Sequence, residues 1–246
     1  MDRSPVPSRR GPNHEFALSV LRQTRVFASI GDAALTHLLS MATTQRYGKD
    51  EFLFIEGDVL NAYHVILRGK IRACKQSPSG KQLTIMLLHA TDTFGDVALV
   101  DSEPLCVSLQ ATVESWVTAI PRNTILPYIR QNPLVSWEIA ATIGRRFKLI
   151  QERLLDSITA EVSVRIMRAL ETSYQHYGMV LPLTRQEIAD LAGTTRESAT
   201  KVLCQLQASG VIRSVRGGVV LSDEHTLLRW QRSNGHGAPC YSDHAS

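Results

Sequence analysis

Apolar positions along the chain follow two different periods. Up to about residue 125 they come in short runs closed by turn residues. Phe52 to Ile55 ends at Glu56-Gly57-Asp58, Tyr63 to Leu67 at Arg68-Gly69-Lys70, and Ile71 to Lys75 at Ser77-Pro78-Ser79-Gly80, after which Leu83 to Leu88 follows. Runs of this length bounded by glycine turns predict strands. Thr93-Phe94-Gly95-Asp96 reads as a loop and a helical turn, and Ser108 to Ala111 with Ser115 to Ile120 return as strands. Many short strands at this spacing predict an antiparallel barrel or jelly roll.

Beyond residue 130 the period becomes helical. Over Leu134 to Ser157, the residues Ile143, Phe147, Ile150, Leu154 and Ser157 step by four, three, four and three, the seam of a two-stranded coiled coil. Ile139, Leu149 and Leu155 lie off that seam and predict partial packing against the chain's own strands. Asp156 to Thr159 is expected near a hinge between domains.

The stretch LTRQEIADLAGTTRESATKVLCQL, Leu183 to Leu206, reads as two short helices joined by a tight turn. Thr184 and Glu187 have capping-box spacing, and Ile188, Ala189, Leu191 and Ala192 give the first helix a buried side. Gly193 suits a sharp exit. Thr194 and Glu197 repeat the capping spacing, and Ala199, Val202, Leu203 and Leu206 then leave Arg196, Thr200, Lys201 and Gln205 toward solvent. A plain helical hairpin could carry these caps. The alternating run Val211 to Val215, the turn Arg216-Gly217-Gly218, and Val219 to Leu221 add a small hairpin directly afterwards. Helix-turn-helix followed by a wing with Arg216 at its tip is a layout for reading the major groove of DNA.

Composition is that of an ordinary globular protein: 246 residues, 43% hydrophobic, 20% charged, formal net charge +4. The mild positive excess agrees with a polyanionic partner without requiring one. No apolar run approaches the roughly 18 residues of a membrane helix, and MDRSPVPSRRGPN has no apolar signal region, so a cytoplasmic protein is expected. Cys74, Cys106, Cys204 and Cys240 stand far apart, which argues against a disulfide framework, a zinc ribbon or an iron-sulfur cluster. GxSxG, P-loop and HExxH motifs are absent, and an enzyme is not expected.

The order of IEGD at Ile55 to Asp58, LRGKIR at Leu67 to Arg72, FGD at Phe94 to Asp96, a long helix and a winged helix-turn-helix resembles the bacterial Crp/Fnr transcription regulators over about residues 25 to 232. The resemblance implies an α+β chain. Its expected parts are a disordered tail at 1–14, an N-terminal effector-sensing β-roll of cyclic-nucleotide-binding type at 15–130, a dimerisation helix and hinge at 131–158, a winged helix-turn-helix at 159–232 and a second tail at 233–246. It implies a homodimer held through Ile143, Phe147, Ile150 and Leu154 that reads a palindromic site on double-stranded DNA, with RNA polymerase as a candidate further partner.

The expected DNA-contacting residues are Thr184, Thr195, Arg196, Glu197, Thr200, Lys201 and Arg216. An Arg-Glu pair at a helix start suits adjacent G·C pairs and resembles the members that recognise TGTGA-like half-sites. Lys201 stands where many relatives carry Arg, which weakens bidentate reading at that position. Glu197 has a competing use as a capping carboxylate, and base contact is favoured, with Thr194 carrying the cap.

The effector pocket is expected around Phe94, Gly95, Asp96, Cys106, Val107 and Ser108. Cyclic-nucleotide-binding relatives use Glu after Phe-Gly for the ribose, and an Arg just before a Ser for the phosphate. Here the first is Asp96, and no Arg occurs from Ala73 to Pro121, so a buried phosphate would lack a cation and a cyclic nucleotide is disfavoured. Haem stays open, with His64, His89 or Cys106 as axial candidates, as does an unidentified small signal or none. A protein-contact role for the C-terminal domain is the alternative to DNA binding.

Overall fold

A computed structural model describes residues 12–76, 82–96, 99 and 103–222. The chain divides into two units, Met1–Lys148 and Leu149–Ser246. Of the expected tails, residues 1–11 and 233–246 lie outside the described residues, and the first helix already begins at His14.

The first unit starts helical, where strands were expected. Helix α1 (His14–Gln23) is capped by Asn13, whose Oδ1 accepts from the Phe16 N–H at 2.9 Å, and it buries Ala17, Val20 and Leu21. A single 3-10 turn at Arg25–Phe27 leads into α2 (Asp32–Ser40), which buries Leu35, Leu38 and Leu39. Two antiparallel sheets follow. One has the order β1 (Thr43–Tyr47), β8 (Ser115–Pro121), β3 (Ala62–Arg68), β6 (Thr93–Phe94). The other has the order β2 (Phe52–Phe54), β7 (Ser108–Ala111), β4 (Lys70–Gln76), β5 (Gln82–His89). Helix α3 (Arg122–Gln131) closes the roll and α4 (Pro133–Thr159) runs on from it into the second unit.

Strand β3 explains the layering. Tyr63, Val65 and Leu67 on one face join Leu21, Phe27, Leu35, Leu38, Ile125, Val135 and Ile139 in a core between sheet and helices. Ile66, on the other face, joins Ile71, Leu88, Phe94, Leu109, Ala111 and Val117 between the two sheets. With both faces buried, β3 has no polar alternation. Each fully buried large side chain contributes about 1.5–3 kcal/mol, so the helical layer is part of the fold's stability and not an appendage.

In the second unit, α4 gives way to α5 (Val162–Tyr177), β9 (Val180–Leu181), α6 (Arg185–Leu191), α7 (Arg196–Ala208), β10 (Ile212–Val215) and β11 (Gly218–Leu221). The three strands form one antiparallel sheet in the order β10-β11-β9.

Candidate functional site

The two-helix element is built from its caps. Thr184 Oγ1 accepts from the Glu187 N–H at 3.2 Å, while Glu187 Oε2 accepts from the Thr184 N–H at 2.7 Å, a complete capping box at the start of α6. Ile188, Ala189 and Leu191 are buried, and Gly193 turns the chain at φ 59. The cap of α7 is Thr195 and not Thr194: Thr195 Oγ1 accepts from the Ser198 N–H at 3.2 Å. Thr194 is spent on the turn, its N–H donating to the Ala189 carbonyl at 2.9 Å.

Moving the cap by one residue takes Glu197 out of capping-box register. Its own backbone N–H, then the Thr195 hydroxyl, then the Arg196 charge hold its carboxyl below the usual range, so an ionised carboxylate stands in the first turn of α7. Ala199, Val202, Leu203 and Leu206 are buried beneath. Arg196, Glu197, Lys201, Cys204 and Gln205 are exposed, with Thr200 half-buried.

The wing has the expected form. Val215 pairs with Gly218 across a turn made by Arg216 and Gly217, and both Arg213 and Arg216 are exposed. Gly217 adopts φ 77, and a Cβ on Gly218 would stand 2.4 Å from the Leu181 carbonyl oxygen, so the turn and the seat against β9 each require glycine. The Ser214 hydroxyl donates to Gln207 Oε1 at 2.8 Å, tying the wing to α7.

In the roll, Gly95 at φ 93 brings its backbone where a Cβ would lie 2.8 Å from the Ala62 carbonyl oxygen. That places Asp96 inward, with its side chain 11% exposed, paired to Arg146 of α4. Arg146 also donates to the Thr93 carbonyl. Burial pushes the Asp96 carboxyl up, and the Arg146 charge pulls against it. The Tyr63 hydroxyl donates to Thr93 Oγ1 at 2.8 Å, and burial pushes it well above its ordinary range. The absence of Arg between Ala73 and Pro121 thus does not leave the roll without a cation: α4, outside that window, supplies one and Asp96 takes it up.

The remaining pocket candidates do not converge on a polar site. Phe94 stacks on His64 with ring centroids 4.5 Å apart, and Phe54 meets His64 edge-on at 5.2 Å. His64 is therefore packed as a core ring, with burial holding its imidazole down to about 4 against a small opposing pull from the Ala62 carbonyl. Val107 packs against the core between the sheets. Ser108 Oγ accepts from the Glu56 N–H at 3.0 Å, and Leu105 exchanges backbone bonds with Gly57 and Asp58, tying this segment to the IEGD turn. Cys106 is exposed, and its carbonyl accepts from Lys75 Nζ at 3.4 Å. His89 sits with Nδ1 3.7 Å from Asp92 Oδ2.

Along α4, Val135 and Ile139 are buried against the roll, while Ile143 (42%), Phe147 (61%), Ile150 (40%) and Leu154 (63%) are exposed. Leu155, expected to pack inward, is 61% exposed and sits beside Ile158 at 77%, while Leu149 is half-buried. Among the described residues no group of His, Cys, Asp or Glu has the arrangement of a metal site, and no helix is long and apolar enough to cross a membrane.

Residues 44–132 match the cyclic nucleotide-binding domain family, and residues 164–230 match the Crp-like helix-turn-helix domain family. A CRP-like cAMP-activated global transcriptional regulator of Mycobacterium tuberculosis is 24% identical over 221 residues, covering 87% of this chain and 99% of that protein. The cyclic AMP receptor protein of Thermus thermophilus is 28% identical over 208 residues, covering 84% of this chain and 96% of that protein. Among solved structures, FixK2 from Bradyrhizobium japonicum superposes with a TM-score of 0.68 at 20% identity, covering 76% of this chain and 96% of that one, a likeness of fold.

Proposed function

The chain belongs to the Crp/Fnr family of transcription regulators, and from that premise we propose that it works as a cytoplasmic homodimer reading a palindromic DNA site through α7. One observation carries the reading: α7 seats Ala199, Val202, Leu203 and Leu206 in its own domain and turns Arg196, Glu197 and Lys201 outward. The Arg196 fork suits guanine O6 and N7, Glu197 accepts from cytosine N4, and Thr200 and Lys201 extend the contact to bases or phosphate. Thr184, Thr195 and the wing residue Arg216, all exposed, serve the flanking phosphates. The exposed stripe Ile143, Phe147, Ile150 and Leu154 is the face through which two copies pair, as a two-fold palindromic site requires.

The roll takes an effector of a class still to be identified, and its residues do not fit a cyclic nucleotide. Two relatives named above are called cAMP-activated or a cyclic AMP receptor, and residues 44–132 of this chain match the cyclic nucleotide-binding domain family. In this chain the segment Glu103–Ser108 holds no cation, and Arg146 is committed to Asp96 and the Thr93 carbonyl. The cation beside that segment is Lys75, whose Nζ lies 3.4 Å from the Cys106 carbonyl and 2.9 Å from Glu56 Oε1, so a phosphate there would have to compete with Glu56 for it.

The test is fluorescence anisotropy with a duplex carrying inverted TGTGA half-sites, against the same duplex with its G·C pairs replaced. The wild type discriminates between them and loses affinity steeply with salt. Arg196→Ala costs about 1–3 kcal/mol of that discrimination, roughly 5- to 150-fold. Unchanged affinity and preference in Arg196→Ala would overturn the assignment.

A further inference from the structure

One guanidinium in the second unit joins the end of the long helix to the turn that aims the reading helix. Arg165, in the first turn of α5, donates from Nε to the Ala192 carbonyl at 2.9 Å, from Nη2 to the Gly193 carbonyl at 3.5 Å and from Nη1 to the Ala160 carbonyl at 3.2 Å. Ala192 and Gly193 close α6 and begin the turn into α7, and Ala160 directly follows α4. Three residues on, Arg168 pairs with Asp156 in the last turn of α4, and that carboxylate is 9% exposed.

We propose that Arg165 is a positioning residue for DNA recognition, setting the angle at which α7 leaves its turn relative to the end of α4. The inference rests on α7 being the reading helix. A cation at the C-terminal end of α6 answers carbonyls with no partner inside that helix and opposes its dipole, and any cation would do that much. What a planar fork adds is direction: separate N–H groups engage carbonyls of two chain segments at once, which a single ammonium does not reproduce. Asp156 and Ala160 are both held by α5, so the last turn of α4 is bonded within the second unit.

The experiment measures the ratio of affinities for the two duplexes described above in full-length Arg165→Lys and Arg165→Gln, with circular dichroism at the assay temperature. Wild-type protein must first discriminate between the duplexes; if it does not, the α7 reading itself fails. Given that it does, both variants stay folded and bind the G·C-replaced duplex as the wild type does. Both lose roughly tenfold in the ratio, as expected for lost charge-assisted hydrogen bonds. Full rescue by Arg165→Lys shows that charge alone suffices and overturns the proposal. So does an equal loss on both duplexes, or an unfolded variant, either of which makes the residue a part of the fold and no more.

Discussion

Removing Arg146 should strand a buried carboxylate, and the size of the effect can be worked from its surroundings. Asp96 and Arg146 are 11% and 20% exposed at their side chains, and Arg146 also holds the Thr93 carbonyl. Arg146→Met keeps much of the side-chain volume and deletes the charge. Breaking one partner of a buried pair costs about 3–5 kcal/mol, whereas replacing both by apolar groups is often close to neutral. Asp96→Asn keeps an acceptor for Arg146 and should cost about 1.5–3 kcal/mol. Asp96→Leu alone should likewise strand the Arg146 guanidinium, so the double variant Asp96→Leu/Arg146→Met should be more stable than either single variant and lose at least about 2 kcal/mol less than their sum.

The pH dependence carries a sign. Burial already raises the Asp96 carboxyl with Arg146 in place, and without it the shift grows. A carboxyl raised above its unfolded value makes the native state bind the extra proton, so the deficit of Arg146→Met is largest near pH 8 and shrinks as pH falls through the raised value. Urea titration followed by tryptophan fluorescence reads this in the first unit, where Trp116 packs against the core. Protein concentration is held fixed so that dimerisation does not enter. Additive single and double variants, or a deficit independent of pH, would refute the reasoning.

Two further outcomes follow from single side chains. His64 is held to about 4 from 6.5, so the unfolded chain takes up a proton that the folded one refuses; stability is whole above pH 6.5 and falls toward pH 4 by up to ~3 kcal/mol. His64→Phe should flatten that slope in urea titrations, and an identical acid loss in the variant would count against it. Cys204 lies exposed on the outward side of α7. N-ethylmaleimide treatment of a Cys106→Ser variant should abolish binding to the G·C-containing duplex, with Cys204→Ser resistant; a labelled protein that binds as before would exclude α7 from the interface.

Signals that act within a few residues were legible in the sequence. The Thr184–Glu187 box, the apolar spacing of α7 and the glycine turn of the wing all depend on neighbours close in the chain. Even there the α7 cap slipped by one residue, because Thr194 and Thr195 both have the chemistry and only the bond from Thr194 to Ala189 decides between them. Strand β1, TTQRY, gave no alternation because it is exposed except at Tyr47 and is held by pairing with β8. Helix α1 did carry a cap at Asn13 and buried spacing at Ala17, Val20 and Leu21, but its cap falls inside the stretch read as a tail. The Asp96–Arg146 pair spans 50 positions, and no local pattern announces a contact made by packing a distant helix against a roll.

The seat of Gly218 on Leu181 also sets where this molecule tolerates change. Because β11 is clamped between β10 and β9, lengthening the tip at Arg216-Gly217 leaves the clamp untouched, while a side chain at Gly218 pries the sheet apart at its middle strand. Tip and root of the same hairpin are thus open to different rates of variation: the tip can change length without disturbing the sheet, provided the strand beneath keeps its bare backbone at Gly218.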